Sequence, residues 1–130
     1  PAMPDATEYT IASIDATGGK EGFDGGEAFR PTVNSYMYGN ALAIARIAAL
    51  KGDAATSLEY NQKAAALQIR VQQDLWNDSL QHFIDRFKVD NQFVHYWDFI
   101  RGRELAGFAP WYFNLPEDNP IYHAAWLSHE

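Results

Sequence analysis

Two long helix-forming segments separated by only three residues constrain the fold of this chain most strongly. Residues 33–50 are apolar or small at nearly every position. Residues 54–76 repeat apolar side chains at steps of three and four, at Tyr60, Ala64, Leu67, Val71 and Leu75. Between the two segments, Gly52 can take the left-handed conformation that ends a helix, and Asp53 can cap the next helix. The pattern therefore predicts two antiparallel helices joined by a tight turn.

The first of these helices is predicted to be buried on several sides. Its larger apolar residues are interleaved with alanines that cover most of the remaining circumference, and such a helix has no obvious polar face. Pro31 restrains Arg30 to an extended conformation, and Thr32 can then cap the helix.

The rest of the chain predicts loops rather than long regular elements. Residues 1–31 hold most of the glycine and no helical period, so we expect a loop with a short extended piece at 9–14. Residues 82–89 and 92–100 are aromatic and β-branched around Asp90 and Asn91, which fits either a short β-hairpin or an irregular aromatic connection. Residues 101–117 read as a structured loop, and Asn119 and Pro120 start a last helix that runs from 121 to about 128.

The sequence thus predicts an all-α fold, organised as one partial domain. Its parts are an acidic glycine-rich loop at 1–31, a helical hairpin at 32–76, an aromatic loop region at 77–119 and the start of a further helix at 120–130. The chain opens on Pro1 and ends in a helix-forming stretch, so we expect it to be a piece of a longer polypeptide.

Composition excludes several classes of function. Of the 130 residues, 47% are hydrophobic and 15% aromatic, which is too much apolar surface for a disordered chain. The formal net charge of −7 repels phosphate backbones and anionic membranes, so neither nucleic acid nor membrane is an expected partner. The chain has no cysteine, no run of apolar residues long enough to span a membrane, and no signal-peptide pattern at Pro1.

The stretch GGKEGFDGGEAFRPTVNSY combines carboxylates with glycines just ahead of the first long helix. Asp15, Glu21, Asp24 and Glu27 lie within thirteen positions, interleaved with five glycines. Glycine lets a backbone approach a ligand closely, and carboxylates transfer protons or bind sugar hydroxyls. A solvated acidic loop is the alternative interpretation.

A second group consists of aromatic residues between positions 97 and 113. Indole and phenol rings stack on the apolar faces of sugars, although aromatic side chains pin loops to helical cores just as often. The members of the group are Trp97, Phe99, Phe108, Trp111, Tyr112 and Phe113.

The sequence shows no motif for metal binding, for a serine nucleophile or for phosphate binding. The four histidines have no metal-ligand spacing, no serine lies in a nucleophile elbow, and no phosphate-binding loop occurs, so neither a metal nor a cofactor is expected. Arg101 and Arg103 are expected to pair locally with Glu104 or to brace the loop.

Three stretches resemble one enzyme family. EGFDGGEAFRPTVNSYMYGNALAIARIAALKGD, the second helix with its ending LWND, and GRELAGFAPWYFNLP resemble the catalytic domain of bacterial glycoside hydrolases with an (α/α)6 barrel, of the mannosylglycerate-hydrolase-like and processing-glucosidase-like group. The resemblance covers about residues 15–127. It implies that this chain is a fragment of a toroid of six helical hairpins.

The resemblance also implies roles for individual residues. Glu21 matches the position of the general acid, with Asp24 as the alternative; relatives commonly carry Asp at the position of Glu21. The catalytic base would lie beyond this chain, and hydrolysis would proceed with inversion. The residues implied to lie at the substrate pocket are Arg30, Asn34, Tyr36 and Tyr38 at the start of the first helix, and Trp111 and Tyr112 as subsite walls. Helix capping and core anchoring are the alternative roles of Asn34 and Tyr36.

Two further expectations concern partners and location. The substrate would be an oligosaccharide or glycoside, and the exposed faces of an open toroid fragment would drive self-association. The resemblance favours a periplasmic or extracellular bacterial location, with a cytoplasmic one left open. The competing hypothesis is a non-catalytic helical module that binds carbohydrate or protein.

Overall fold

A pair of long antiparallel helices forms the body of the computed structural model, which describes residues 10–19 and 28–127. Helix α2 spans Pro31–Leu50 and helix α3 spans Ala54–Asp74. Gly52 between them has φ +79°, and the Asp53 side chain accepts a hydrogen bond from the Thr56 backbone N–H. The predicted hairpin and both of its turn signals are confirmed.

The other elements are short and surround this hairpin. They are α1 (Ile11–Ala16), β1 (Ala28–Phe29), β2 (Trp76–Asn77), β3 (His82–Phe83), β4 (Arg86–Phe87), a 3-10 helix (Leu105–Phe108), α4 (Ala109–Tyr112) and α5 (Pro120–Leu127). The fold is therefore mostly helical with small antiparallel strand pairs, as the sequence predicts. None of the helices in the described part of the chain is long and apolar enough to cross a membrane.

Helix α1 replaces the extended piece expected at 9–14, of which position 9 lies outside the described residues. Thr10 and Ser13 form a reciprocal capping box: the Thr10 side chain accepts from the Ser13 backbone N–H, and the Ser13 side chain accepts from the Thr10 backbone N–H. These two bonds satisfy donors at the start of a helix that is too short to show a hydrophobic period. The prediction of loop throughout 1–31 is wrong at this helix and at β1.

The start of α2 also differs from the prediction. Arg30 occupies the N-cap position with extended backbone angles, and Pro31 is the first helical residue, where its missing N–H costs nothing. Thr32 lies inside the helix and is buried, so it is not the cap.

Only one side of α2 is buried against α3. Ala41, Ala45 and Ala48 are buried there, and their small side chains allow the two helices to approach closely. The opposite side of α2 exposes Ile47 and Leu50, with 54% and 88% of their surface accessible. The prediction of burial on several sides therefore holds in the described structure only for the first turn, where residues 31–35 are all buried, and is wrong for the rest of α2.

Strand β1 pairs antiparallel with β4, and β2 pairs antiparallel with β3. Residues 85–100 fold back on themselves, with backbone bonds from Phe87 N to Asp98 O (2.9 Å) and from Ile100 N to Asp85 O (3.0 Å). A single bridge joins Arg86 to Phe99. This segment, called here the 85–100 hairpin, is thus a β-hairpin with irregular pairing, which combines the two predicted alternatives.

The side chains form two apolar clusters. One joins α1 and β1 to the 85–100 hairpin through Ala12, Ala28 and Phe87. The other joins α2 and α3 to β3 through Ala41, Val71 and Phe83. The second cluster contains the whole apolar stripe predicted for the second helix.

Candidate functional site

The polar and aromatic residues of interest gather where α2 begins and α3 ends. The turn at Gly52 closes the opposite end of the hairpin, so residues near position 31 and residues near position 74 share one end. Strand β1 leads directly into α2 at this end and pairs there with β4 of the 85–100 hairpin. The acidic stretch of the sequence is joined covalently to β1.

Glu21 and Asp24, the candidate catalytic carboxylates, lie outside the described residues. Before these two residues, α1 ends at Ala16, and the chain continues through Gly18 and Gly19, which both have positive φ. The φ of +70° at Gly18 favours glycine, and a Cβ atom there would lie 2.5 Å from the half-exposed Phe93 ring, which would have to move.

Arg30 is enclosed by two carboxylates from distant parts of the chain. Its Nε donates to Asp85 Oδ2 at 2.8 Å, and its Nη2 lies 3.7 Å from Glu104 Oε1. The Arg30 and Asp85 side chains are only 7% and 3% exposed. A guanidinium suits this position because its planar fork can serve two acceptors at once.

Glu104 extends the same cluster to α1. Its Oε2 accepts a hydrogen bond from the Ile11 backbone N–H at 3.1 Å, at the first turn of the helix. Asp15 at the other end of α1 pairs with Arg101 at 2.9 Å. Arg101 therefore pairs with Asp15 of α1, and Glu104 pairs with Arg30 and with the start of α1, rather than the two pairing with each other.

Asn34 and Tyr38 lie one helical turn apart on the buried side of α2. The Asn34 side-chain amide donates to the Arg30 carbonyl at 2.8 Å and is 7% exposed as a residue. Tyr38 is 9% exposed and belongs to the cluster between α2 and α3. The structure thus places both residues beneath the end of the hairpin.

Tyr36 and Tyr112 instead lie at the surface around Phe113. The centroids of Tyr36 and Tyr112 are 5.5 and 5.0 Å from that of Phe113, both edge to face. Tyr36 is 48% and Tyr112 86% exposed. Gly39 makes room for Phe113, because a Cβ there would lie 2.3 Å from the ring.

Trp111 points away from this exposed group. Its ring lies 5.3 Å from Phe83 and 5.5 Å from Trp126, in edge-to-face contacts at the border of the core. The adjacent residues Trp111 and Tyr112, which the resemblance treats together, therefore face different surroundings.

A cleft of about 260 Å³ opens between the start of α2 and the end of α3. Its polar lining consists of Asn34, Arg70 and Asp74, and its apolar lining consists of Phe29, Leu67, Val71, Leu75 and Trp97. Arg70 Nε lies 3.1 Å from Asp74 Oδ2. Apart from Asn34, none of these residues is among the site residues implied by the resemblance, because they come from four separate segments that only the tertiary structure unites.

Trp97 in this cleft has a strained backbone. Its φ is +73°, in the left-handed region that bulky residues rarely enter, and such a conformation costs about 1–3 kcal/mol. Two hydrogen bonds hold it: Trp97 N donates to Phe87 O at 2.8 Å, and Arg86 Nη1 donates to Trp97 O at 2.7 Å. In the sequence, Trp97 belongs to the aromatic group between positions 97 and 113, but no sequence signal indicates its positive φ or its place in this cleft.

Arg86 also supports the aromatic side of the cleft. Its guanidinium carbon lies 4.8 Å from the Trp97 ring centroid and 3.7 Å from that of Phe99. Burial lowers the pKa of the Arg86 guanidinium, while Asp74 and Asp98 act in the opposite direction.

In the described ranges 10–19 and 28–127, no three His, Asp or Glu side chains lie together as metal ligands would.

Aromatic rings beside a few carboxylate, amide and guanidinium groups at one end of the helical hairpin are the kinds of groups that line small-molecule sites in proteins. The chain belongs to the mannosylglycerate hydrolase MGH1-like glycoside hydrolase domain family, whose model matches residues 1–130.

The chain also resembles a solved structure. The chain is similar to a protein titled "Sialidase", with 39% sequence identity and a TM-score of 0.69 over 78% of this chain. The match spans 9% of the length of that protein. No curated protein matches the chain.

Proposed function

We propose that residues 1–130 form part of a glycoside hydrolase that cleaves glycosidic bonds by carboxylate acid/base catalysis. The family match over all 130 residues carries this proposal. The acidic stretch adds support, because it joins β1 at the end of the hairpin where the cleft and the exposed aromatic residues lie. The complete domain would be a toroid of six helical hairpins, of which α2 and α3 supply one.

Glu21 is the proposed general acid, with Asp24 as the alternative acid or a stabilising charge. The acid would protonate the glycosidic oxygen as the bond to the anomeric carbon breaks. The second carboxylate, outside this chain, would take a proton from a water molecule that attacks from the opposite face of the sugar, which inverts the anomeric centre.

The substrate-side residues divide into two groups by their exposure. Tyr36 and Tyr112 would contact sugar rings directly, since both are exposed beside Phe113. Arg30, Asn34, Tyr38 and Trp111 would act mainly from beneath, by fixing the start of α2 and the segment that carries Tyr112.

The test replaces Glu21 by Gln in the full-length protein and uses substrates that differ in leaving group. Removal of a general acid should lower turnover by about 10²–10⁴-fold on alkyl glycosides. A dinitrophenyl glycoside should be much less affected, because its leaving group departs without protonation. Glu27→Gln, a carboxylate change in the same stretch, is the matched control and should retain activity.

The substrates to compare come from the names of the relatives. Mannosylglycerate represents the family name, and sialylated oligosaccharides represent the name of the similar structure. A panel of alkyl and dinitrophenyl glycosides supplies the two leaving-group classes. Equal losses on both leaving-group classes, or none, would overturn the assignment to Glu21; Asp24→Asn then tests the alternative in the same way. Absence of hydrolysis with retained sugar binding would instead favour a non-catalytic binding module.

A further inference from the structure

We propose that the cleft between the start of α2 and the end of α3 binds one sugar ring, with the Trp97 indole as its stacking platform. The proposal takes its ligand class, a neutral pyranose ring of a glycoside, from the proposed function. It concerns a position separate from Tyr36 and Tyr112, and its residues are all described in the structure.

The size of the cleft suits a single ring. Its volume of about 260 Å³ lies just under the range of about 300–1,000 Å³ that holds drug-sized ligands. The cleft has room for one pyranose with one side of the ring left open to solvent, whereas a disaccharide would extend out of it.

The lining supplies the two kinds of contact that a pyranose requires. Trp97 and Phe29 offer apolar surface to the C–H face of a sugar, and their own rings meet edge to face at 5.3 Å. Asp74 and Arg70 offer an acceptor and donors for hydroxyl groups at the edge.

The strain at Trp97 favours a functional rather than a merely structural role. A left-handed tryptophan persists only where its surroundings fix it, and strained residues of this kind concentrate at binding and catalytic sites. Here the residue is fixed by Phe87 O, by Arg86 Nη1 and by the guanidinium packed on its ring. The ring is therefore held in place before a ligand arrives, which reduces the ordering cost of binding.

The experiment follows Trp97 directly by fluorine NMR of the full-length protein labelled with 5-fluorotryptophan. The resonance lost in Trp97→Asn belongs to Trp97, and asparagine is chosen because it tolerates positive φ. Methyl α-D-mannopyranoside, methyl α-D-glucopyranoside and methyl β-D-galactopyranoside are then titrated. At least one should shift this resonance in a saturable manner, while the Trp76 resonance, assigned with Trp76→Phe, stays unchanged.

If Trp97→Asn fails to fold, Trp97→Phe assigns the same resonance, and a second variant supplies an independent test. Asp74→Asn preserves the shape of the cleft and should weaken the same titration by about fivefold. A Trp97 resonance that none of the three glycosides moves up to their solubility limits, or equal binding by wild type and Asp74→Asn, would overturn the proposal. This titration measures binding only, so its result is independent of the Glu21 hydrolysis assay. Sugar binding without hydrolysis would reject the catalytic proposal and leave the binding proposal intact.

Discussion

Arg30 and Asp85, 55 residues apart in the sequence, are joined by a buried hydrogen-bonded ion pair of 2.8 Å. The pair connects the first residue before α2 to the residue just ahead of β4. It lies beside the β1–β4 pairing, so side-chain and backbone bonds reinforce the same junction.

Removal of one member of this pair should destabilise the fold strongly. Asp85→Ala leaves the buried guanidinium without its nearest carboxylate, which should lower the free energy of unfolding by about 3–5 kcal/mol. Equilibrium urea unfolding measures the change. Glu59→Ala, which removes the exposed partner of Lys63, is the control and should change stability by less than about 0.5 kcal/mol. Similar values for both variants would contradict the prediction.

Gly107 and Gly102 should respond differently to the same substitution. A Cβ at Gly107 would lie 2.3 Å from Phe83 O and 2.4 Å from His82 Nε2, whereas at Gly102 the nearest atom is Ile11 Cδ1 at 3.6 Å. Gly107→Ala should therefore cost about 1–3 kcal/mol, and Gly102→Ala under about 0.5 kcal/mol. Thermal unfolding of the two variants measures this difference in stability loss, and equal melting temperatures would refute the prediction.

The cap of α3 should make stability depend on pH. Hydrogen bonds from the Thr56 hydroxyl and backbone N–H lower the pKa of Asp53 in the folded state. A lowered folded pKa means that this stabilisation is complete above the ordinary aspartate pKa of about 3.9 and is lost as pH falls through the lower folded value.

Asp53→Asn keeps a good cap residue but removes the titration. The difference in unfolding free energy between wild type and Asp53→Asn should therefore shrink as pH is lowered into this range. Urea unfolding at neutral and acidic pH measures it; a difference that is constant or grows on acidification would contradict the assigned cause.

Tyr112 should influence substrate affinity without affecting the fold. It is 86% exposed and contacts Phe113, so Tyr112→Ala should raise KM by about two- to tenfold on an oligosaccharide substrate while the melting temperature is retained. Leu105, which is also 86% exposed, provides the control Leu105→Ala, for which KM should not change. An unchanged KM for Tyr112→Ala removes this residue from the substrate contacts.

The isolated 130-residue chain should self-associate through the exposed side of α2. Met37, Ile44, Ile47 and Leu50 follow one another at helical spacing there, each at least 39% exposed. Ile47→Lys should shift the molar mass measured by light scattering toward that of the monomer. Ile69→Lys on α3, where a single isoleucine is 49% exposed, should have little effect. A strictly monomeric wild type would contradict the expectation.

The sequence predicted the parts of the fold that depend on neighbouring residues. The α2–α3 hairpin follows from a repeated apolar stripe, from Gly52 and from the Asp53 cap, all of which are local signals. Helix α1 was missed because six residues are too few to show a period, although Thr10 and Ser13 carry the capping-box signal.

The candidate site was less predictable because it depends on residues distant in the sequence. Arg30 looks like a ligand-binding residue until Asp85 and Glu104 are found on either side of it. The Trp97 cleft requires β1, α2, α3 and the 85–100 hairpin to be in place. The exposed position of Tyr112 and the packed position of Trp111 depend on the turn of α4, which no sequence pattern indicates.

The hydrogen bond from Ile11 N to Glu104 also fixes an order of events during synthesis. Its two ends are 93 residues apart, and α1 has only six residues, too few for a helix that is stable alone in water. When the growing chain emerges with its N-terminal end first, α2 and α3 can pair while α1 still lacks this partner. This bond can form only after residue 104 has left the ribosome, so a chain stalled just before that point would carry the α2–α3 hairpin and an α1 packed on the 85–100 hairpin without the bond at its first turn.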